Sequence, residues 1–267
     1  MKRLLIIILS LVLGLSIFLV SCGVEKEASN PKTVDSKEEA VAKDSKVEEE
    51  PEPVKDNSKY TICIDPGHQE KPMLDKEPMY PGGSELKYKV AAGATGVSTG
   101  KKEYELTLEV SLKLRDILSK EGYNVVMTRD VNNTTISNID RAKIGNNANA
   151  DLVVRVHADS NNSSKVEGST ILHPIGKYTE GIYDNSLKAA TIMEEEYRLA
   201  TGAKSRGLMP RSDMTGFNHS IVPTIIVEMG FMSNPKEDEL MASDEYQKKI
   251  VNGIYNGIVK YCETINK

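Results

Sequence analysis

Residues from about 58 to 267 predict an α/β domain: a single domain with a central, largely parallel β-sheet flanked by helices on both faces. Short apolar runs of strand length recur at residues 60–65, 152–156 and 224–227. Segments of helical periodicity separate them, and capping residues mark where those segments start and stop. Strands joined by helical crossovers favour parallel pairing, since a parallel pair cannot be closed by a tight turn.

Residues 60–65 form a short continuous apolar strand. From Glu103 to about Lys120, Leu106, Val110, Leu114 and Ile117 fall on one face of an amphipathic helix. Gly122 closes that helix, and residues 123–128 make the next strand. A helix over 140–148 and a strand over 152–156 follow. A further helix runs from 185 to about 200 and ends at Gly202, before the strand at 224–227. Asn234-Pro-Lys-Glu237 supplies an N-cap, a proline at the first helical position and a capping-box glutamate, so a helix starts there. Ser243 caps the last helix, which runs to about Ile265.

The segment before this domain has a different character. Lys2 and Arg3 precede an apolar run from residue 4 to 20, and Ser21-Cys22 follows. A positive start, an apolar stretch and a small-residue end read as an export signal. Leu19-Val-Ser-Cys22 resembles a bacterial lipobox, which makes Cys22 the expected lipidation site and residues 1–22 a lipoprotein signal peptide. Residues 23–57 are rich in Lys, Glu, Asp, Ser, Val and Pro and read as a disordered charged linker. The folded domain is then 58–267, expected at the outer face of the cell membrane through an N-terminal lipid anchor. Cys63 and Cys262 read as two separate buried thiols. A net charge of −5 with no basic cluster argues against a nucleic-acid partner.

Four residues carry the chemistry. His68 follows the first strand through a Pro-Gly turn, where Gly67 is expected to permit a tight backbone. His157 ends the strand Leu152-Val-Val-Arg-Val-His157, with Arg155 on the same face as a sign of a polar, accessible environment. Glu228 ends the strand Thr224-Ile-Ile-Val-Glu228. Glu103 and Glu105 both sit at a helix start, and spacing alone does not choose between them. In open α/β sheets ligands bind beyond the carboxyl ends of the strands, where His68, His157 and Glu228 fall. Two imidazoles and a carboxylate make a zinc site with an open fourth position, and a second carboxylate can move protons beside it. Burial would raise the pKa of Glu228 as such a role requires, although a salt bridge to Arg155 or Arg211 is a competing account. His173 and His219 read as peripheral, and Arg211 has the charge to meet a substrate carboxylate.

Six segments in order then resemble one family: Ile64-Asp-Pro-Gly-His68, Glu103-Tyr-Glu-Leu-Thr-Leu, Gly122-Tyr-Asn-Val-Val-Met-Thr-Arg129, Asp140-Arg141 with Asn146-Asn-Ala-Asn-Ala-Asp151, Val156-His157-Ala158, and Val227-Glu228-Met-Gly-Phe-Met-Ser-Asn234. They look like the zinc-dependent N-acetylmuramoyl-L-alanine amidases of bacterial cell walls, over nearly all of 59–262. The resemblance implies one Zn²⁺ held by His68, Glu103 and His157, with Glu228 as the catalytic glutamate. Its Glu-x-x-Leu-x-Leu pattern selects Glu103 over Glu105. It implies peptidoglycan as the partner and hydrolysis of the amide between N-acetylmuramic acid and L-alanine. Two departures stand out: a long stretch between His68 and Glu103, which reads as a flap or a substrate filter, and Asp159 where the family often has Asn. The competing expectations are a peptidoglycan-binding or regulatory lipoprotein with little turnover, and a zinc peptidase or deacetylase.

Overall fold

The computed structural model describes residues 56–265. The expected signal peptide, Cys22 and nearly all of the expected linker lie outside the described residues. In chain order the elements are β1 (Thr61–Pro66), β2 (Met73–Pro78), β3 (Leu86–Val90), α1 (Glu103–Lys120), β4 (Asn124–Met127), α2 (Asn138–Asn147), β5 (Leu152–Asp159), β6 (Ser169–Pro174), α3 (Glu180–Thr201), β7 (Ser205–Arg211), α4 (Thr215–Asn218), β8 (Thr224–Phe231), α5 (Pro235–Ala242) and α6 (Asp244–Thr264). No helix among the described residues is long and apolar enough to cross a membrane.

Six strands form one sheet in the order β4-β1-β5-β8-β6-β7. The first four are mutually parallel, β6 runs antiparallel to β8, and β7 is parallel to β6. The expected α/β sandwich with a largely parallel sheet is therefore the fold. Period-two alternation gives the two sheet faces different tasks. Ile62, Ile64, Leu152, Val154, Val156, Ile225 and Val227 point to one face and join the main core. There they meet Leu106, Val110 and Leu114 of α1, Met193 and Tyr197 of α3, and Ile250, Ile254 and Ile258 of α6. Truncating one such fully buried leucine or isoleucine typically costs about 2–5 kcal/mol. The opposite face has only small apolar clusters, Cys63 with Val153 and Leu172 with Phe217 and Ile226, covered by α2 and α4. Asp65, Arg155, His157 and Glu228 also lie on this face. Cys63 and Cys262 are both buried, as expected, and burial pushes the Cys63 thiol up to about 12.

Several boundaries move for local reasons. α2 begins two residues before the expected start because Ser137 and Asp140 form a reciprocal capping box. α3 begins five residues early, at Glu180. β5 and β8 continue beyond His157 and Glu228, to Asp159 and Phe231, so neither residue ends its strand. β6, β7 and the β2–β3 hairpin have no counterpart in the expected elements. Gly207 and Pro210 conceal β7, which is tolerable because β7 lies at the sheet edge. The hairpin is hidden by its composition, since Met-Leu-Asp-Lys-Glu-Pro lacks an apolar alternation.

The polar face is organised by Asp65, 1% exposed. Arg155 is its direct register partner on β5 and donates from Nε to Oδ2 at 2.6 Å. Arg141 of α2 donates from Nη1 to Oδ1 at 2.6 Å, and the Thr128 hydroxyl donates to the same oxygen. Burial opposes the charge on Asp65, but the two guanidinium groups hold its carboxyl well below the ordinary aspartate range. The polarity expected around Arg155 is present, yet Arg155 is 5% exposed and turned into this cluster, so it marks a buried environment.

Asp65→Asn leaves two buried guanidinium groups without their counter-ion and is expected to lose about 3–5 kcal/mol of stability. The pKa is depressed in the fold, so the ionic contribution is complete above the ordinary aspartate pKa of about 3.9 and fades as pH falls through the folded value. Denaturant unfolding of both proteins should show the full gap near neutral pH and a shrinking gap in acid.

Candidate metal centre

Four of the sequence-predicted residues meet in one cleft of about 830 Å³ on the polar face of the sheet. His157 and Glu228 are register partners on adjacent parallel strands, so the ladder sets them side by side. Glu103 arrives from the first residue of α1 and His68 from the turn after β1. Glu105 is not in the cluster. Its side chain accepts the Lys102 amide at 3.1 Å, the task of a capping-box residue.

Glu103 is the centre of the cluster, 3% exposed. Its Oε1 lies 3.2 Å from His68 Nε2 and 3.1 Å from His157 Nδ1, and it also accepts the Ala158 amide at 3.1 Å. Its Oε2 accepts the Ala94 amide at 2.7 Å. Burial works against its charge, but hydrogen bonds with His157 and His68 keep the carboxyl well below the usual glutamate range. Burial lowers the pKa of His157 to about 4, so its imidazole is neutral near pH 7 with a lone pair to give. Burial also acts against the charged form of His68, and the Glu103 hydrogen bond overcomes it, so the pKa of His68 is raised. His68 Nδ1 faces the Ala91 carbonyl at 2.9 Å, which fixes the other ring nitrogen toward Glu103.

The His68 turn is held by main-chain contacts rather than by glycine freedom. His68 itself has φ 56, a left-handed conformation that disfavours a residue with a Cβ. Arg141 Nη2 donates to the His68 carbonyl at 2.7 Å, and Arg129 donates to the Pro66, Gly67 and Tyr104 carbonyls at 2.8–3.0 Å. Gly67 has a different reason to be glycine: a Cβ there would lie 2.4 Å from Cε1 of His157. The expected backbone freedom at Gly67 is thus replaced by close packing against the second histidine. A Cβ at Gly93 would likewise lie 2.9 Å from Glu103 Oε2.

Glu228 has neither expected salt bridge. Arg155 is committed to Asp65 and Asn138, and Arg211 to Asp213 at 2.7 and 2.9 Å. Burial, reinforced by Glu103 and Asp159, raises the Glu228 pKa well above the ordinary value. Glu228 Oε2 and His157 Nε2 are buried with no hydrogen-bond partner, a cost that native proteins rarely accept outside functional sites. The ligand atoms of His68, Glu103 and His157 lie within 4.8 Å of one another. Two imidazoles and an anionic carboxylate at that spacing fit a borderline divalent cation such as Zn²⁺ and leave part of its coordination open.

His173 and His219 stand apart, as expected. His173 is buried in β6. His219 Nε2 contacts the Pro78 carbonyl at 3.0 Å and ties down the β2–β3 hairpin. Sequence reading missed Asp65, Arg129 and Arg141 as supports, although all three lie within the segments that carry the family resemblance.

The family described as N-acetylmuramoyl-L-alanine amidase matches residues 62–260, and the chain belongs to it. It is 28% identical over 212 residues to the N-acetylmuramoyl-L-alanine amidase Rv3717 of Mycobacterium tuberculosis, covering 76% of this chain and 86% of that one. It is 28% identical over 184 residues to the germination-specific N-acetylmuramoyl-L-alanine amidase of Bacillus subtilis, covering 63% of this chain and 75% of the relative. The crystal structure of the apo form of the amidase Ami1 from Mycobacterium abscessus superposes with a TM-score of 0.71 at 28% identity, covering 77% of this chain and 99% of Ami1.

Gly67→Ala is expected to push the His157 ring off Glu103 while the sheet stays intact. Titration with Zn²⁺ should show binding at least ~10-fold weaker, in line with losses seen when the shell around a metal site is disturbed. An unchanged far-ultraviolet circular dichroism spectrum would assign the loss to the site.

Proposed function

We propose that this chain hydrolyses the amide between the lactyl group of N-acetylmuramic acid and the L-alanine of a peptidoglycan stem peptide, with Zn²⁺ as its cofactor. The observation that carries this reading is the convergence of His68, Glu103 and His157 in one cleft with Glu228 beside them. His68, Glu103 and His157 would hold the ion. When bound, Zn²⁺ supplies Lewis acidity, which brings the pKa of water to about 7 and polarises an amide carbonyl.

The protein's own groups do the rest. The Ala91 carbonyl orients His68, and the Ala94 and Ala158 amides orient Glu103, so the donor set is assembled before substrate arrives. Glu228 is the proton carrier. A dication held by His68, Glu103 and His157 would favour the carboxylate form of Glu228 against the burial that raises its pKa. Glu228 then takes the proton of the attacking water and delivers it to the leaving nitrogen of L-alanine. Burial assists the second transfer by keeping the acid protonated until the amine departs.

The N-terminal segment sets the proposed location. Residues 1–22 would direct export, Cys22 would carry the lipid, and residues 23–57 would span from the membrane to the catalytic domain at 58–267. The enzyme would then work on the cell wall from the outer face of the membrane. Cys22→Ala is expected to abolish incorporation of labelled fatty acid.

Digestion of purified peptidoglycan by the full-length protein tests the reaction. New amino-terminal alanine is expected from wild type, lost on chelation and restored by Zn²⁺. Release of any other new terminus, or of none by the zinc-loaded protein, would overturn the assignment. Glu228→Gln should slow release by about 10²–10⁴-fold, the usual worth of a positioned general acid–base group. The same change should stabilise the fold. Because the folded pKa of Glu228 is raised, ionisation penalises the native state as pH climbs above the ordinary glutamate value of about 4.3. Metal-free Glu228→Gln should therefore melt above metal-free wild type, by a margin that widens with pH.

A further inference from the structure

The β2–β3 hairpin walls the cleft without contributing to the proposed chemistry. Its exposed side chains have an unusual character for a surface hairpin. Leu74, Leu86 and Tyr88 are 62%, 50% and 52% exposed. Leu86 and Tyr88 share one face of β3 by period two, and Lys76 is the register partner of Tyr88 across the hairpin. The Lys76 ammonium lies 5.9 Å from the Tyr88 ring centroid, at the outer limit of a cation–π contact. The other two lysines of these strands have carboxylates: Lys87 meets Asp213 and Lys89 meets Asp75. Lys76 has no carboxylate partner among the described residues, and Lys76, Leu86 and Tyr88 all line the cleft that contains Glu103 and Glu228.

This wall is fixed in place by polar tethers. The Glu77 carboxylate accepts the Ile139 amide at 3.2 Å, Asn138 Nδ2 donates to the Lys89 carbonyl at 2.7 Å, and His219 holds the Pro78 carbonyl at 3.0 Å. Lys87 clasps Asp213 on the far side of the cleft. The chain leaving β3 supplies Ala91, whose carbonyl orients His68 three residues beyond Tyr88. A ligand lying on Tyr88 therefore shares one cleft with the reacting centre. A preorganised surface of this kind binds without the entropy loss of ordering a loop.

The chemistry of the stripe selects its occupant. Aliphatic and aromatic surface suits small apolar side chains, and one unpartnered ammonium suits a carboxylate. A stem peptide that starts with alanine and carries acidic groups offers both, whereas the neutral sugars of the glycan offer no counter-charge. We propose that the cleft-lining face of this hairpin is the stem-peptide subsite, with Lys76 receiving a peptide carboxylate and Leu86 and Tyr88 receiving its apolar side chains; this rests on the amidase reading.

The test compares two soluble muramoyl-peptides with the full-length zinc-loaded protein, one with free peptide carboxylates and one with those carboxylates amidated. Wild type is expected to show a KM about three- to fivefold lower for the free acid, the worth of one exposed ion pair. Lys76→Gln should erase that preference. Lys89→Gln, whose ammonium faces Asp75, should keep it. A KM ratio that Lys76→Gln leaves unchanged overturns the subsite and assigns the stripe to another partner. If wild type cleaves neither compound, the amidase reading fails, and calorimetric titration with the free acidic stem peptide decides the subsite separately. Binding that weakens in Lys76→Gln upholds it, and binding that is absent or independent of Lys76 overturns it.

Discussion

The ion cluster around Asp65 is the constraint on which the site depends. One carboxylate, 1% exposed, joins β1, β5 and α2 through Arg155 and Arg141. Arg141 then reaches on to the carbonyls of Pro66 and His68. The charge that would be costly alone is compensated by two guanidinium groups; Arg141 places its remaining donors on the turn that carries His68, and Arg155 bonds Asn138 of α2. Arg129 braces the same turn from β4's end and also bonds the Tyr104 carbonyl in the first turn of α1. The left-handed conformation of His68 persists because these contacts over-determine it.

With that scaffold in place, environment divides the chemistry among similar groups. Glu103 and Glu228 are two glutamates in one cleft, yet their pKa values move in opposite directions. Glu103 is ringed by two imidazoles and two backbone amides, which favour the ion. Desolvation of the Glu228 carboxyl, two nearby carboxylates and no hydrogen bond to Oε2 favour the acid. Pairs of titratable groups pushed apart in this way are a mark of acid–base sites. The two histidines also differ, since burial keeps His157 neutral while Glu103 favours protonation of His68.

The hairpin between His68 and Glu103 shows how a mostly polar segment becomes part of a site. It joins the two residues along the chain, so its ends are fixed by the centre itself. Its body docks by hydrogen bonds and the Lys87–Asp213 clasp, with Met79 and Val90 buried at the strand ends. That economy leaves Leu86 and Tyr88 exposed at the cleft rather than consumed in packing.

The sequence by itself determined the α/β class, the apolar strands, most helix positions and the four residues of the cleft, because periodicity and capping are local properties. It also carried the family resemblance that separated Glu103 from Glu105. Tertiary structure decided what local patterns do not encode. The hairpin and β7 escaped notice because polar tethers and an edge position, rather than an apolar pattern, hold them. Arg155 read as a sign of exposure, and only its register partner Asp65 explains its burial. Gly67 read as a flexible turn residue, and only the His157 ring from another strand supplies its constraint. Each of these facts depends on contacts between residues far apart in the chain, which a sequence pattern does not contain.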